Sequence, residues 1–133
     1  MLRLVCLTFL LPTVAAAQDT LDFSGLWRAN PTAGCTYTGG EGSALKIEDA
    51  TLFGVENQCA MTNPVNVTDM DAQLFDMDCD AEGQSFAARA MFMRANDGGL
   101  YLIWDGIALK YESCAEDAAV GTVTTSDQIG ITQ

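Results

Sequence analysis

Residues 85–114 read SFAARAMFMR ANDGG LYLIW DG IALKYESC, and this stretch decides the fold. It holds three runs rich in aromatic and branched residues, a composition typical of strands: 85–94, 100–104 and 107–114. Asp105-Gly106 separates the last two runs and predicts a type I′ hairpin turn, because both central positions of that turn need positive φ. The sequence 96–99, Asn-Asp-Gly-Gly, forms a looser turn signal before them. A meander of three antiparallel strands is therefore predicted.

The chain upstream of this meander shows shorter runs with the same period of two and no helix-period segment of useful length. These weaker runs are 22–29, 36–38, 44–48, 51–57, 65–70 and 74–79. Short strands at intervals of roughly 8 to 12 residues are typical of a barrel or a sandwich. We predict an all-β domain, a small antiparallel up-and-down barrel of about eight strands. The side chains expected to fill it are Trp27, Phe53, Phe86, Phe92, Leu102, Trp104 and Leu109.

The N-terminus has the pattern of a secretory signal peptide. Arg3 precedes an apolar run at 4–14, and Ala15-Ala16-Ala17 supplies the small residues of a cleavage site. The run is shorter than the ~20 residues that a membrane span needs. Cleavage after Ala17 is expected, followed by one domain at 18–114 and a flexible acidic tail at 115–133. The protein is predicted to be periplasmic or secreted and not inserted in a membrane.

Four cysteines remain once Cys6 leaves with the signal peptide, and an even number in an exported chain predicts two disulfides. The chain has no Cys-x-x-Cys pair and no histidine, so structural zinc is disfavoured. Three connectivities are open. Counting strand directions back from the hairpins puts Cys59 and Cys79 at one end of the sheet and Cys114 at the other. Because bridged Cα atoms lie within roughly 7 Å, we prefer Cys59 with Cys79 and Cys35 with Cys114.

The net charge of the chain limits the classes of partner that it can bind. Its formal net charge is −12, and removal of 1–17 takes away Arg3 and no acid, which leaves −13. A phosphate backbone or an anionic lipid surface would repel such a chain, so nucleic acid is excluded as a partner. A basic exported protein is the attractive alternative. Acidity can also serve solubility alone.

Complete absence of histidine excludes Ser-His-Asp and Cys-His nucleophile systems and any histidine-ligated metal. Paired carboxylates could still hydrolyse a glycosidic bond. Glu41, Glu56 and Glu112 are candidates by residue type only. We therefore predict no catalytic residues, no cofactor and no enzyme.

Acidic residues alternate along one predicted strand: Asp76, Asp78, Asp80 and Glu82. On a strand they would share one face, and crowded carboxylates can bind calcium. A calcium loop that starts at Asp76 fails, because Ala81 occupies the required glycine position and Ala87 the bidentate glutamate position. The alternative is an exposed polar face with Met77 and Cys79 in the core.

Gly25-Leu26-Trp27 stands near the start of the first predicted strand. A Gly-x-Trp there resembles the opening motif of lipocalins, avidins and small exported metalloprotease inhibitors. The resemblance covers 23–35 and implies an up-and-down barrel whose tryptophan plugs one end. It also implies that Trp27 packs against a basic side chain of the last strand, for which Lys110 is available. The simpler interpretation is that Trp27 is a core aromatic residue.

These observations predict an exported non-enzymatic binding or inhibitory module, with a basic secreted or envelope hydrolase as its target. The alternative is a carrier that holds a small ligand in the barrel mouth or calcium on the acidic strand face. Salt dependence separates them, since attraction between surface charges fades as the Debye length falls below ~10 Å.

Overall fold

The computed structural model describes residues 19–115, and these residues form strands and turns. The predicted signal peptide and nearly all of the predicted tail lie outside the described residues. Within the described part, no helix is long and apolar enough to cross a membrane. The eight strands are β1 (Gly25–Arg28), β2 (Leu45–Glu48), β3 (Thr51–Phe53), β4 (Asn57–Asn66), β5 (Ala72–Ala81), β6 (Gln84–Arg94), β7 (Leu100–Trp104) and β8 (Ile107–Ser113).

Each strand pairs antiparallel with the next, and β1 pairs with β8, so the sheet is a closed up-and-down barrel. The closing ladder is short: Trp27 lies opposite Ser113 and Arg28 opposite Glu112. The predicted fold class is confirmed. Up-and-down connection places alternate turns at opposite ends. We call the end with the connections 29–44, 54–56, 82–83 and 105–106 the open pole, and the other end the closed pole.

The last hairpin follows the prediction closely, whereas β3 and β4 do not. Asp105 and Gly106 both have positive φ, at 50° and 78°. The predicted strand 51–57 stops at Phe53, because the chain turns at 54–56. β4 then continues through Asn63, where a register shift and a positive φ of 49° mark a bulge. A bulge accommodates turn-forming residues inside a strand, which is why the expected start at 65 was wrong.

The long connection 29–44 contains no strand, so the run 36–38 was also assigned wrongly. The chain folds there around Ser43, whose Oγ accepts hydrogen bonds from the backbone N–H groups of Thr38, at 2.8 Å, and Gly39, at 3.3 Å. A polar side chain thus satisfies backbone groups that a strand partner would otherwise take.

Both predicted disulfides are present. Cys59 lies directly opposite Cys79 on neighbouring strands, with Cα atoms 4.0 Å apart. The strand count behind that pairing was wrong, since it placed one further strand between them. Cys35 is bonded to Cys114 with Cα atoms 5.7 Å apart, which fastens the connection 29–44 to the residue after β8. Two such bonds are typical of a chain that folds in an oxidising, extracellular environment.

Aromatic residues fill the barrel near the closed pole. Phe75 and Phe92 meet edge to face with ring centroids 5.3 Å apart, and Phe23 lies 6.2 Å from the first and 5.6 Å from the second. Trp27 is 5 % exposed, and its Nε1 donates to the Phe23 carbonyl oxygen. The segment 19–24 therefore covers this end of the barrel.

Gln73 is the one fully buried polar side chain among the described residues, and it holds that segment in place. Its Nε2 donates to the carbonyl oxygen of Asp19 and to Oδ1 of Asn66. Its Oε1 accepts from the backbone N–H of Leu21 at 3.0 Å. A buried amide is tolerated where its polar atoms are satisfied, and here it fastens the segment that closes the pole.

Candidate functional site

A cavity of about 590 Å³ opens at the open pole. Six inward side chains of the barrel line it: Leu52, Leu102, Trp104, Ile107, Leu109 and Tyr111. Small residues of the connection 29–44 complete the rim, among them Ala29, Ala33 and Gly42. Ligand sites of folded proteins commonly occupy about 300 to 1,000 Å³. The cavity is therefore large enough for one small molecule.

Stagger between strands creates this cavity. β8 begins at Ile107, whereas β1 ends at Arg28, so the ladder between them covers only the end of β8. Ile107 and Leu109 lie opposite Trp104 and Leu102 on the inner face. They are nevertheless 58 % and 42 % exposed. Apolar side chains that point inward stay accessible because nothing in the described chain packs over them.

Of the seven side chains expected to fill the barrel, three are buried and Trp104 is partly buried. Trp27, Phe92 and Leu102 are buried, as predicted. Phe86 and Leu109 are 44 % and 42 % exposed instead of filling the barrel. Phe86 lies beside Trp104 at the open pole, with ring centroids 6.4 Å apart.

The prediction that Phe53 fills the barrel was wrong, because Phe53 lies on the outer face of β3. Leu52 is the inward, buried residue of β3, so its neighbour Phe53 points outward. The Phe53 ring packs there beside Tyr37, and the Lys46 ammonium lies 4.7 Å from its centroid. The outer surface of β2 and β3 therefore carries a cation–π contact.

Two polar groups interrupt the apolar wall. Oδ1 of Asn57 is buried and has no hydrogen-bond partner among the described residues. Gly54 leaves room for this amide, since an added Cβ would lie 2.5 Å from Oδ1. Burial raises the pKa of the Tyr111 phenol above its ordinary value because the charged form loses solvation. Tyr111 therefore stays a neutral hydrogen-bonding group on the wall.

Carboxylates are sparse in this cavity. Asp105, in the β7–β8 turn, is the one charged residue among the described lining. Glu41, Glu56 and Glu112 do not line it. Instead, the Oε1 atom of Glu112 lies 3.7 Å from the Nζ atom of Lys110. A carboxylate pair able to act as acid and base is thus not assembled here, since that chemistry needs two carboxyl groups about 5 to 9 Å apart across a substrate.

The alternating acids occupy the outer face of β5, with one exception. Asp76 forms an ion pair with Arg89 at 3.1 Å, and Asp80 accepts from the Ser85 hydroxyl. Asp78 is exposed between them, while Met77 and Cys79 are buried, as the alternation predicted. Glu82 lies in the β5–β6 turn with a positive φ of 49° and does not extend the row.

Calcium coordination on this face needs several convergent oxygens. In the described part of the chain, no three acidic or cysteine side chains are arranged to hold a metal ion. Arg89 and Ser85 instead engage the carboxylates of Asp76 and Asp80. The acids form a charged strip on the surface.

The contact that the resemblance implies between Trp27 and a cation of the last strand is not found among the described residues. Gly25 begins β1 and Trp27 is its third residue, whereas Lys110 lies on the outer face of β8. Its ammonium pairs with Asp97 and lies 5.9 Å from the Tyr101 ring centroid. The predicted contact with Trp27 was therefore wrong, because strand parity puts the two side chains on opposite faces.

Arg94 supplies a cation near Phe23 instead. Its guanidinium lies 5.5 Å from the Phe23 ring centroid and donates to the carbonyl oxygen of Asp22. Arg94 ends β6, so its position could not be inferred from the last strand. Like Gln73, it fastens the covering segment 19–24.

Comparison with known proteins does not assign the chain to a family. The chain matches no family model, and no curated protein or solved structure matches it. The class defined by the fold alone is a small closed barrel with two disulfides and an apolar cavity at one end.

Proposed function

We propose that this protein is a non-enzymatic binding protein that holds one small, mostly apolar molecule in the cavity at the open pole. The observation that carries the proposal is the exposure of inward apolar side chains at Ile107 and Leu109. Such side chains are usually buried, and covering them with a ligand removes apolar surface from water. An eight-stranded barrel is wide enough to hold one small ligand.

Cavity chemistry limits the ligand class. The wall is largely aliphatic with one indole, that of Trp104, so a flat or branched apolar body fits it. The Asn57 amide and the Tyr111 hydroxyl can each bond a polar group of the ligand. Asp105 at the rim and the net charge of −12 disfavour an anion. The proposed ligand is therefore neutral or cationic, with one hydrogen-bonding group.

Resemblance of Gly25-Leu26-Trp27 to the first strand of lipocalins and avidins agrees with this proposal. We extend it to export: the pattern at 1–17 would direct the chain out of the cytoplasm, with cleavage after Ala17. The mass of the intact exported protein tests that step, because a mature chain would begin at Gln18.

Titration with Nile red, a neutral apolar dye, tests the proposed cavity. Saturable binding of one dye per chain, unaffected by salt, is expected. Leu109→Asp should weaken binding at least about tenfold, because it places a charge in an apolar site. Ile103→Asp is the matched control, since Ile103 is 38 % exposed on the outer face of neighbouring β7. Equal loss in both variants, or no saturable binding by the unchanged protein, would contradict the proposal.

A further inference from the structure

A strand edge is left free beside the open pole. β6 pairs with β5 along its whole length, but it pairs with β7 only at 90–94. Within residues 19–115, no other segment forms backbone hydrogen bonds to 84–89 on that side. Alternate residues of a strand direct their N–H and C=O groups to opposite sides. About three residues of 84–89 therefore present unpaired backbone groups at this edge.

Devices that commonly protect sheet edges are missing from most of this segment. Such edges usually carry charged residues, proline or a bulge. Residues 84–88 read Gln-Ser-Phe-Ala-Ala, and their register with β5 is regular. Four of these five are exposed, including Phe86 at 44 %. Residues 84–88 therefore form a regular and accessible edge, as strand addition requires.

The outer face beside residues 84–88 is acidic, whereas Arg89 follows on the same face and is paired with Asp76 at 3.1 Å. Asp80 lies opposite Ser85 and Asp78 lies opposite Ala87 in the β5–β6 ladder. An added strand would lie ~4.8 Å beyond β6, with only these short side chains between its outward residues and the carboxylates. Long cationic side chains of the added strand can reach over Ala87. Glutamate or aspartate at the same positions would be repelled.

The inner face beside the edge is apolar. Phe86 points to that face and lies next to Trp104, whose ring centroid is 6.4 Å away. An added strand would place its alternate side chains against this aromatic pair. Because side chains of a strand alternate between faces, cationic and apolar residues must alternate in the segment that fits.

We propose that the 84–89 edge of β6 is a docking site for an extended segment of a basic partner protein, in which Lys or Arg alternates with apolar residues and which pairs with the edge as an added strand. The charge complementarity with Asp78 and Asp80 selects this occupant over a second copy, since two chains of net charge −12 repel each other. The site shares Trp104 with the cavity wall, but its hydrogen bonds come from backbone groups of β6 that do not line the cavity, so docking can be tested without the proposed ligand.

Isothermal titration of the oxidised protein with a capped (Lys-Val)₄ peptide tests this docking site. Binding of one peptide per chain is expected, with amide exchange slowed at residues of 84–89. The same peptide N-methylated along its backbone keeps its charge and apolar groups but lacks donors. It should bind at least about tenfold more weakly, because several hydrogen bonds are lost. A capped (Glu-Val)₄ peptide should not bind.

Charge variants of the protein locate the contact. Asp78→Asn with Asp80→Asn should weaken peptide binding about fivefold, the size expected for two exposed ion pairs. Asp49→Asn with Asp69→Asn is the matched control: it removes the same charge from closed-pole turns, at positive φ values that asparagine tolerates. This control should leave affinity unchanged.

Three results would overturn the docking proposal: equal binding of the N-methylated peptide, equal loss in both charge variants, or unchanged amide exchange at 84–89. Dimerisation of the protein alone through this edge, seen by sedimentation, would replace the basic partner by a second copy and also overturn it. Because none of these readouts uses Nile red, failure here is distinguishable from failure of the cavity.

Discussion

Trp27 Nε1 donates a 3.0 Å hydrogen bond to the carbonyl oxygen of Phe23, so the first strand is fastened to the segment that covers one end of its own barrel. The second tryptophan, Trp104, lies on the wall of the cavity at the other end. One pole is thus packed and hydrogen-bonded, and the other exposes inward apolar side chains. This asymmetry distinguishes the barrel from one that is filled at both ends.

Replacement of Gln73 tests the closure of the packed pole. Gln73→Leu leaves the Leu21 N–H and the Asp19 carbonyl without their buried partner, so we expect the free energy of unfolding to fall by about 2 to 4 kcal/mol. Urea unfolding measures the change. Gln58→Leu, at an exposed position of β4, should change it by less than about 0.5 kcal/mol. A similar cost at both positions would mean that Gln73 does not fasten the segment.

Accessibility predicts the order in which the disulfides are reduced. Cys59 and Cys79 are 0 % and 2 % exposed, whereas Cys35 is exposed on the connection 29–44. A limiting amount of dithiothreitol should therefore reduce Cys35–Cys114 first, because exchange requires access of a thiolate to sulfur. Alkylation of the native protein followed by peptide mass analysis measures the order. Earlier labelling of Cys59 and Cys79 would contradict this account of burial.

The ion pair between Asp97 and Lys110 gives a pH-dependent contribution. The Lys110 ammonium, followed by the backbone N–H of Gly99, lowers the pKa of the Asp97 carboxyl, and Asp97 raises the pKa of Lys110. The carboxylate therefore stabilises the fold above its ordinary pKa, and this contribution is lost as pH falls through the lowered value. For Lys110 the contribution is lost as pH rises through the raised value.

Asp97→Asn isolates this pair, since its Oδ1 can still accept from Gly99. The variant should be slightly less stable than the unchanged protein near neutral pH, because both side chains are partly exposed and such pairs contribute little. The difference should vanish in strong acid and in strong alkali. Urea unfolding across this pH range measures it, and a difference that persists in acid would show another cause.

Substitution of Gly99 by alanine tests the close approach between β8 and the turn before β7. A Cβ at Gly99 would lie 2.6 Å from the Tyr111 carbonyl oxygen, so Gly99→Ala must shift backbone. We expect a loss of about 1 to 3 kcal/mol in the free energy of unfolding. Gly40→Ala is the control, with 3.8 Å to its nearest atom, Thr38 Oγ1. Equal stability of both variants would show that Tyr111 moves freely.

Local signals in the sequence predicted the hairpins and their consequences. The bounds of β7 and the positive φ of Asp105 and Gly106 follow from a two-residue turn between apolar runs. Met77 and Cys79 are buried because alternation along a strand determines which side chains share a face. The two disulfides were predicted from the even number of cysteines, but the strand count used to choose the pairs was wrong, since Cys59 and Cys79 lie on neighbouring strands.

The cavity could not be predicted, because alternation says which way a side chain points and not what covers it. Ile107 and Leu109 are exposed because β1 is four residues long and stops short of them. That stagger between first and last strands is a property of barrel closure. Phe53 was misplaced for a related reason: Leu52 and Phe53 are both apolar, so the short β3 gives no alternation from which to choose a face.

The measurement that tests the cavity most directly is the ¹H–¹⁵N spectrum of the oxidised protein titrated with Nile red. The chain has two tryptophans and hence two indole signals. We expect the Trp104 indole signal to shift and saturate, while that of Trp27, whose indole is bonded to Phe23 and which is 5 % exposed, stays in place. A dye that shifts Trp27 instead, or leaves both signals unchanged at saturating concentration, would contradict a binding cavity at the open pole.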